Sequence, residues 1–191
     1  MKHQTIIAIR AILFFTVLTG IAYPLLVTGV AQLVFKDRAN GSIVYQNGKP
    51  VGSILIGQSF TSDKYFWSRP SAVDYNSALS GASNFGPTSA KLRKQIEERR
   101  QSFIRRNGLP ENAVVPAEMV TSSGSGLDPH ISPEAAMLQL DRVAKARGFN
   151  SQQRQKVAEL IHLISVGHNQ VILGDARINV FELNLKINQL Q

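Results

Sequence analysis

The residues best suited to chemistry lie between Val120 and Ser132, in the segment VTSSGSGLDPHIS. At its centre is a run of four small residues, Ser123, Gly124, Ser125 and Gly126. Backbone amides in such a run can converge on an anion, and a helix predicted to begin after Ser132 has its positive end nearby. The run is therefore a candidate phosphate or nucleotide loop, although its residue types favour a simpler interpretation. The alternative is an ordinary flexible loop before a capped helix, because Gly, Ser and Asp-Pro form turns in any context.

The loop lacks the groups that make nucleotide sites strong. It has no Gly-Lys-Ser/Thr ending, so it has neither the lysine nor the magnesium ligand of a P-loop. Amides and a helix dipole together contribute up to a few kcal/mol, and about 4 kcal/mol corresponds to a dissociation constant of about 1 mM. We therefore expect no tightly bound cofactor, and at most weak or shared binding of ATP.

Ser125, Asp128 and His130 have the residue types of a hydrolytic triad. Triads usually draw their members from separate elements, and three members within six residues would have difficulty forming the required hydrogen bonds. A GxSxG nucleophile elbow is also missing from the sequence. We predict that the chain is not an enzyme, and a membrane-tethered hydrolase is the alternative hypothesis.

No metal site is predicted. The sequence contains no cysteine, which excludes thiolate ligands and disulfides. His162 lies on a predicted helix and His168 beyond its end, six residues away, so the two rings point in different directions.

Residues 11–35 form an apolar run that contains no charged side chain. This run separates a short N-terminal segment from the rest of the chain. A helix needs about 20 apolar residues to cross the hydrocarbon core, so the run predicts one transmembrane helix. A cleaved secretory signal, the alternative, would have a shorter apolar core and a small-x-small cleavage site. Residues 1–10 would then form a short N-terminal tail, and residues 36–191 a single soluble domain.

The span has features of a helix that packs against other helices. Gly20 and Gly29 are small enough for close contact, and Pro24 removes one helix hydrogen bond and predicts a kink. We predict contact with partner helices at these three residues, and a plain anchor is the alternative. Basic residues flank both ends of the run, so the positive-inside rule does not decide its orientation.

The chain carries a net charge of +8, which favours anionic partners such as membrane lipid or acidic proteins. Residues 88–107 hold seven lysines and arginines against two glutamates. The basic residues spread around most of this predicted helix, and aromatic residues do not alternate with them for base stacking. We interpret the helix as solvated rather than as a polyanion site. Nucleic acid is not a predicted partner of a domain tied to a membrane.

Periodicity and turn residues predict an α+β domain. Asn47-Gly48, between two short apolar runs at 43–45 and 51–56, predicts a β-hairpin. Residues 57–87 have no sustained period and several aromatic residues, which predicts a long loop that is functional or packed onto the domain.

Three helices and a strand complete the prediction. The helices run over about 88–107, from the Ser132 cap to Gly148, and onward from a Ser151 cap. Alternation of apolar and polar residues from Phe181 to Ile187 predicts a half-buried strand, although so short a run also fits a helix.

Seven sequence blocks in this order identify a family resemblance: GSILIGQSF at 52–60, YFWSRPSA at 65–72, the Tyr75-Asn76 pair, SGASNFGP at 80–87, VTSSGSGLDPHISPEAA at 120–136, RVAKARG at 142–148 and INVFELNL at 178–185. With the single N-terminal span, they resemble the C chain of the bacterial Kdp potassium-transporting ATPase. The resemblance covers nearly the whole chain.

The resemblance implies a subunit of a high-affinity potassium uptake complex in the bacterial cytoplasmic membrane. Its partners would be a channel-like potassium-binding subunit, a P-type ATPase catalytic subunit and a small single-span subunit. The family is described as an accessory, regulatory chain that stabilises assembly and acts as a catalytic chaperone, raising the ATP affinity of the ATP-hydrolysing subunit. The resemblance also places the soluble domain outside the cytoplasm, which conflicts with direct contact to cytoplasmic ATP.

The residues themselves agree with an accessory role. One span cannot line a pore with a selectivity filter. The sequence also has no Asp-Lys-Thr-Gly motif for an aspartyl-phosphate intermediate. We therefore expect this chain to be neither the pore nor the motor of such a complex.

Overall fold

The computed structural model describes residues 2–168 and 175–190, and the side chains of residues 166–168 lie outside the description. The chain divides into two compact units, Met1–Val51 and Gly52–Gln191. The first contains the apolar run, and the second contains the candidate anion loop.

The first unit is dominated by one helical segment, Lys2–Val34, of 33 residues. It consists of α1 (Lys2–Val17), a π-helical turn (Leu18–Ala22) and α2 (Tyr23–Val34). Its large apolar side chains are exposed, and it is long and apolar enough to cross a membrane. In the described part of the chain it is the one helix with these properties.

The π-helical turn lies directly before Pro24, which has no N–H to donate. The N–H of Tyr23 donates to the carbonyl of Leu18, five residues earlier. The hydrogen-bonded turn therefore contains one residue more than a turn of α-helix. The irregularity that Pro24 predicts is therefore present as a π-helical turn on its N-terminal side.

A short helix, α3 (Lys36–Ala39), leads into the hairpin of β1 (Ile43–Gln46) and β2 (Lys49–Ser53). Asn47 and Gly48 have φ values of 50° and 73°, which confirms the predicted two-residue turn. The second strand begins and ends earlier than the apolar run 51–56 suggested.

The second unit is a helical core with one small sheet. Its helices are α4 (Ala90–Asn107), α5 (Pro133–Arg147), α6 (Ser151–His168) and α7 (Val180–Ile187), with 3₁₀ turns at Ser77–Leu79, Ala117–Met119 and Asn188–Leu190. Helix α5 packs against α4 and α6, and α7 packs against α6. The predicted α+β class is confirmed.

The small sheet joins β3 (His130–Ile131) and β4 (Ile178–Asn179) in antiparallel register. His130 lies opposite Asn179, and Ile131 lies opposite Ile178. Both isoleucines are buried, so this pair fixes the end of the candidate loop segment to the core.

Helix caps agree with the sequence at both ends of α5 and differ at the start of α6. Ser132 Oγ accepts from the N–H of Ala135, and Gly148 ends α5 with a φ of 67°. Asn150, rather than the predicted Ser151, caps α6, because its Oδ1 accepts from the N–H of Gln153 at 2.8 Å. Gln153 Oε1 accepts from the N–H of Asn150 in return, which completes a capping box.

The prediction of a strand over Phe181–Ile187 is wrong, because these residues form α7. The buried positions follow helical spacing: Val180, Phe181, Leu183, Asn184 and Ile187. Asn179 Oδ1 accepts from the N–H of Glu182 at 3.1 Å, so an N-cap starts the helix directly after β4.

The long loop at residues 57–87 is packed onto this core. Asn184 bonds both backbone groups of Phe66, accepting from its N–H at 2.8 Å and donating to its carbonyl at 2.9 Å. Gln139 Oε1 accepts from the N–H of Trp67 at 2.8 Å. Phe66 is fully buried, so the loop has a fixed position just before Arg69.

Two arginines of helix α4 form hydrogen bonds or ion pairs with neighbouring loops of the second unit. Arg99 donates to the carbonyl of Val120 at 3.0 Å, and Arg106 pairs with Asp63 at 2.6 Å. These side chains therefore tie the helix to neighbouring loops, while Lys94 on the same helix points into solvent.

Candidate anion-binding site

The predicted loop lines a surface cavity of about 630 Å³. Four consecutive residues of the loop face it, Ser122, Ser123, Gly124 and Ser125. The cavity is also lined by residues of the segment after β2, of the long loop and of the segment before β3: Leu55, Ile56, Arg69, Ser80, Leu127, Asp128 and Pro129. The cavity therefore joins segments that are far apart in sequence.

Backbone contacts hold the loop in one shape. The carbonyl of Ser125 accepts from the N–H of Gly81 at 2.9 Å and from Ser80 Oγ at 3.2 Å. The carbonyl of Ser123 accepts from the N–H of Gly126 at 3.2 Å. These bonds use two carbonyl groups and the N–H of Gly126, and none of them uses the N–H of Ser122, Ser123, Gly124 or Ser125.

Gly126 is the residue that allows this shape. Its φ of 68° is in the left-handed region, which favours glycine. A Cβ at this position would lie 2.8 Å from the carbonyl oxygen of Gly81 and 2.8 Å from Cγ2 of Val73. Gly124 differs, because a Cβ there would have no neighbour within 4 Å.

The backbone N–H groups of Ser122 through Ser125 are unpaired hydrogen-bond donors. Within the described part of the chain none of these four N–H groups donates a hydrogen bond. Backbone amides are strong donors that folded proteins nearly always satisfy, so they require water or a ligand. An oxyanion such as a phosphate group meets that requirement.

The helix that was expected to aid the loop does not line the cavity. Ser132, the cap of α5, faces a neighbouring cavity of about 390 Å³ instead. Its own N–H donates to Glu118 at 3.3 Å. The dipole of α5 therefore does not reach the loop cavity directly, and the positive charge there comes from an arginine.

Arg69 is the residue that sequence reasoning missed. Its Nη1 donates to Oδ2 of Asp128 at 2.8 Å, across 59 residues of sequence. Its Nε is buried and has no hydrogen-bond partner among the described residues. The sequence offered one hint, because Arg69 is the lone lysine or arginine between Lys64 and Lys91.

Asp128 holds Arg69 in place. Its Oδ1 accepts from the N–H of His130 at 3.0 Å and lies 3.1 Å from the Nδ1 of that ring. The hydrogen bond with the His130 side chain is the largest cause that lowers the pKa of Asp128 to about 2, and Arg69 adds to it. Asp128 is thus a carboxylate at neutral pH.

This pKa predicts a pH dependence of stability. The folded pKa of about 2 is below the ordinary value of 3.8, so Asp128 stabilises the fold above pH 3.8 and loses this effect as the pH falls toward 2. Between these values we expect the free energy of unfolding of the wild-type chain to fall more steeply with acidification than that of Asp128→Asn. Urea titrations at several pH values measure the difference; parallel curves would contradict it.

The hydrolytic arrangement does not form. Asp128 and His130 are paired, but Ser125 Oγ accepts from the N–H of Leu127 at 3.1 Å and makes no bond with His130. The serine therefore has a structural role in the turn. This geometry gives the alternative hydrolase hypothesis no support.

No metal centre emerges from the residues that the structure describes, since no three His, Asp or Glu side chains converge there. His162 lines a separate groove beside α6. The side chain of His168 lies outside the described ones.

The three predicted contact residues of the span are open on the chain itself. A Cβ at Gly20 or Gly29 would meet no atom within 4 Å, and Pro24 lies in the first turn of α2. Other helices can therefore contact the span at these positions without displacing any part of this chain.

A search for similar proteins gives one consistent result. The family model described as "K+-transporting ATPase, c chain" matches residues 5–189. The chain belongs to this family.

Individual relatives agree over their full length. The potassium-transporting ATPase KdpC subunit of Mycobacterium tuberculosis strain H37Rv is 45% identical over 192 residues and covers 100% of both chains. The KdpC subunits of Polaromonas naphthalenivorans and Caldanaerobacter subterraneus are 48% and 44% identical, and the matches cover 94% of this chain and 92% and 91% of theirs.

As a KdpC subunit of the potassium-transporting ATPase, this chain is a single-pass membrane protein of a transport complex. The Lys2–Val34 helix is long and apolar enough to supply the span, and the second unit contains the cavity lined by Ser122–Ser125.

Proposed function

We propose that this chain is a non-catalytic accessory subunit that stabilises the potassium-transporting complex and raises the ATP affinity of its ATP-hydrolysing subunit. The observation that carries this proposal is the loop cavity, which is lined by Arg69 and by four residues whose N–H groups have no acceptor among the described residues. This donor set suits a phosphate group. ATP is the phosphate compound that an ATPase complex supplies.

The proposal includes the predicted residues Ser123, Gly124, Ser125 and Gly126 in distinct roles. The first three lend amides to the cavity, and Gly126 shapes the turn through its positive φ. No lysine or metal ligand assists, so binding by this chain is weak. A strong effect on ATP use then requires the partner subunit to hold the same nucleotide.

The KM for ATP of the assembled complex tests this role. Gly124→Val adds a side chain over the amides without a clash in the chain, so we expect KM to rise several-fold while kcat stays the same. Gly86→Val is the matched control, since a Cβ there also meets nothing within 4 Å and Gly86 lies outside the cavity. An unchanged KM in the Gly124 variant would refute the ATP-affinity role.

The partners that we propose are a channel-like potassium-binding subunit, a P-type ATPase catalytic subunit and a small single-span subunit, with membrane lipid around the span. Gly20, Pro24 and Gly29 are the proposed contact residues in the membrane. Small residues let helix backbones approach closely, and the π-helical turn before Pro24 leaves carbonyl groups for partners to cover.

Leucine at Gly20 or Gly29 should reduce recovery of the partner subunits in mild detergent. On a regular helix these glycines are half a turn apart, so each variant probes one side of the span. We expect at least one variant to lose several-fold of the co-purified partners, because leucine prevents close backbone contact. Val30→Phe is the control, because on a regular helix this exposed position lies about a quarter turn from both glycines. Full recovery with both variants would leave the span as a plain anchor.

As the alternative to direct contact with cytoplasmic ATP, we further propose that the second unit lies outside the cytoplasm, where its effect on ATP affinity would have to travel through the partner subunits. The sequence has no cysteine, so single cysteines can report sidedness without background. Ser151 is exposed at the start of α6, and Gln4 is exposed near the N-terminus. A membrane-impermeant maleimide added to spheroplasts should label Ser151→Cys but not Gln4→Cys. The reverse pattern would place the second unit in the cytoplasm.

A further inference from the structure

The hairpin of β1 and β2 exposes apolar side chains shortly after the membrane span. Side chains alternate along a strand, so Ile43 and Tyr45 lie on one face of β1, and Val44 and Gln46 lie on the other. Ile43 is 46% exposed and Tyr45 is 61% exposed. No third strand joins this sheet within the described residues. Because a lone two-stranded hairpin is at best marginally stable in water, its apolar face calls for a covering partner.

Hydrogen bonds hold the start of the hairpin beside the end of the span. Asn40 exchanges two side-chain hydrogen bonds of 3.3 Å with Gln32, which lies in the last turn of α2. The N–H of Ser42 donates to the carbonyl of Asp37 at 2.8 Å, which keeps the connecting turn compact. Ile43 follows Asn40 by three residues, a length of chain that reaches at most about 11 Å. The exposed face of β1 therefore begins close to the end of the apolar helix.

Two basic residues lie in the connection between the span and the hairpin. Lys36 and Arg38 belong to α3 and are exposed, and one acidic residue, Asp37, lies between them. Neither basic side chain forms a hydrogen bond or an ion pair within the part of the chain that the structure describes. Lysine and arginine near the end of a span extend toward lipid phosphates, and tyrosine is enriched at the same depth.

We propose that the face of β1 formed by Ile43 and Tyr45 is a membrane-contact surface that binds lipid in the headgroup layer beside the span. A bilayer has about 30 Å of hydrocarbon and about 40–45 Å with its headgroups, so this layer is about 5–8 Å thick on each side. The two side chains cover its apolar boundary, and Lys36 and Arg38 bind lipid phosphates. This attachment is independent of the cavity lined by Ser122–Ser125 and goes beyond the proposed function.

Lipid suits this face better than a protein does. A stable protein interface buries about 800 Å² on each partner, which is more than two exposed side chains provide. A lipid contact has no such minimum, because the span already holds the chain in the membrane. Anchors at the membrane interface also set the rotation of a span about its own axis. The hairpin contact therefore determines in which directions Gly20 and Gly29 point within the membrane.

Collisions of a nitroxide label with oxygen and with a water-soluble nickel complex test this position. Oxygen concentrates in the apolar layer, whereas the nickel complex stays in water. The sequence has no cysteine, so Ile43→Cys gives the full chain one labelled site and leaves Tyr45 in place. In phosphatidylcholine vesicles we expect a ratio of oxygen to nickel collisions several-fold higher at Ile43→Cys than at Gln46→Cys. Gln46 is the matched control, since it is exposed on the other face of the same strand.

Two further changes test the chemistry of the contact. Tyr45→Ser in the labelled Ile43→Cys chain should lower the collision ratio, because the aromatic anchor is lost. Phosphatidylglycerol added to the vesicles should raise the ratio, and Lys36→Gln combined with Arg38→Gln should remove that rise. If Tyr45→Ser unfolds the hairpin, the comparison of Ile43→Cys with Gln46→Cys still decides the question.

Three results would overturn the proposal. Equal collision ratios at Ile43→Cys and Gln46→Cys would show that the exposed face has no preference for the membrane. A ratio at Ile43→Cys as low as that at the exposed Ser151→Cys would place the face in water. Rare collisions with both reagents at Ile43→Cys would mean that protein covers the face: a second copy if this occurs in vesicles of the chain alone, and a partner subunit if it occurs only in the assembled complex.

Discussion

Replacing Arg142 with methionine should lower the free energy of unfolding by about 2–4 kcal/mol. The guanidinium is buried and donates to four acceptors in the long loop and its neighbouring helices. These are Asn107 Oδ1 at 2.9 Å, the carbonyls of Asp63 and Tyr65 at 2.7 and 3.0 Å, and Gln139 Oε1 at 2.9 Å. Methionine fills similar space but removes the arginine donors from Asn107 Oδ1 and the two carbonyls, while Gln139 Oε1 keeps the N–H of Trp67.

The ring of Trp67 adds to the loss. The guanidinium carbon of Arg142 lies 3.4 Å from the ring centroid, and that of Arg106 lies 3.9 Å from it. A cation over a partly desolvated indole contributes about 0.5–2 kcal/mol. Part of the gain is offset by the cost of burying the charge, since burial lowers the pKa of Arg142 to about 10. The group still keeps its proton at neutral pH.

Urea unfolding followed by Trp67 fluorescence measures this change, because Trp67 is the only tryptophan in the sequence. Arg154→Met is the control: Arg154 pairs with Asp141 at 2.6 Å on an exposed surface, where an ion pair contributes at most about 1 kcal/mol. Arg142→Lys should fall between the two variants, because lysine restores charge but not four directed bonds. Equal stability of Arg142→Met and wild type would show that the network has no net value.

Alanine at Gly126 should destabilise the second unit by about 2–4 kcal/mol. One part of the cost is the left-handed φ of 68°, which disfavours any residue with a Cβ. The other is steric, since the Cβ would lie 2.8 Å from a backbone oxygen of Gly81 and from Val73. Backbone at that distance cannot move aside as a flexible side chain can.

Gly124→Ala, two residues away in the same loop, is the matched control and should change stability by less than about 1 kcal/mol. The comparison separates the shape of the loop from its composition. Thermal unfolding of both variants in the same detergent measures it. Similar unfolding temperatures for the two would mean that the turn tolerates a side chain and that its geometry is not fixed by Gly126.

The sequence alone determined the features that depend on neighbours along the chain. The span follows from an uncharged run at 11–35, and the hairpin turn from Asn47-Gly48. Helix α5 follows from Ser132-Pro133 at its start and Gly148 at its end. Turns and caps are set by local backbone preferences, which is why the residue types predict them well.

Helix α7 shows where local patterns failed. Residues 181–187 alternate between apolar and polar, which suits a strand, but the buried residues of this segment also lie on one broad face of a short helix. The deciding feature was Asn179 with Glu182 three residues later, a cap that the alternation obscured. Packing of Leu183 and Ile187 into the core then favours the helix.

The sequence predicted one part of the candidate site, the loop, and missed the other, Arg69. The small residues at 122–126 identified the loop, because their amides and glycines are local properties. Only the tertiary structure brought Arg69 to the loop, across 59 residues, and turned the cap of α5 toward the neighbouring cavity. Composition and spacing determine which backbone groups a segment can offer, whereas the charge that faces them depends on how distant loops pack, and no local pattern encodes that.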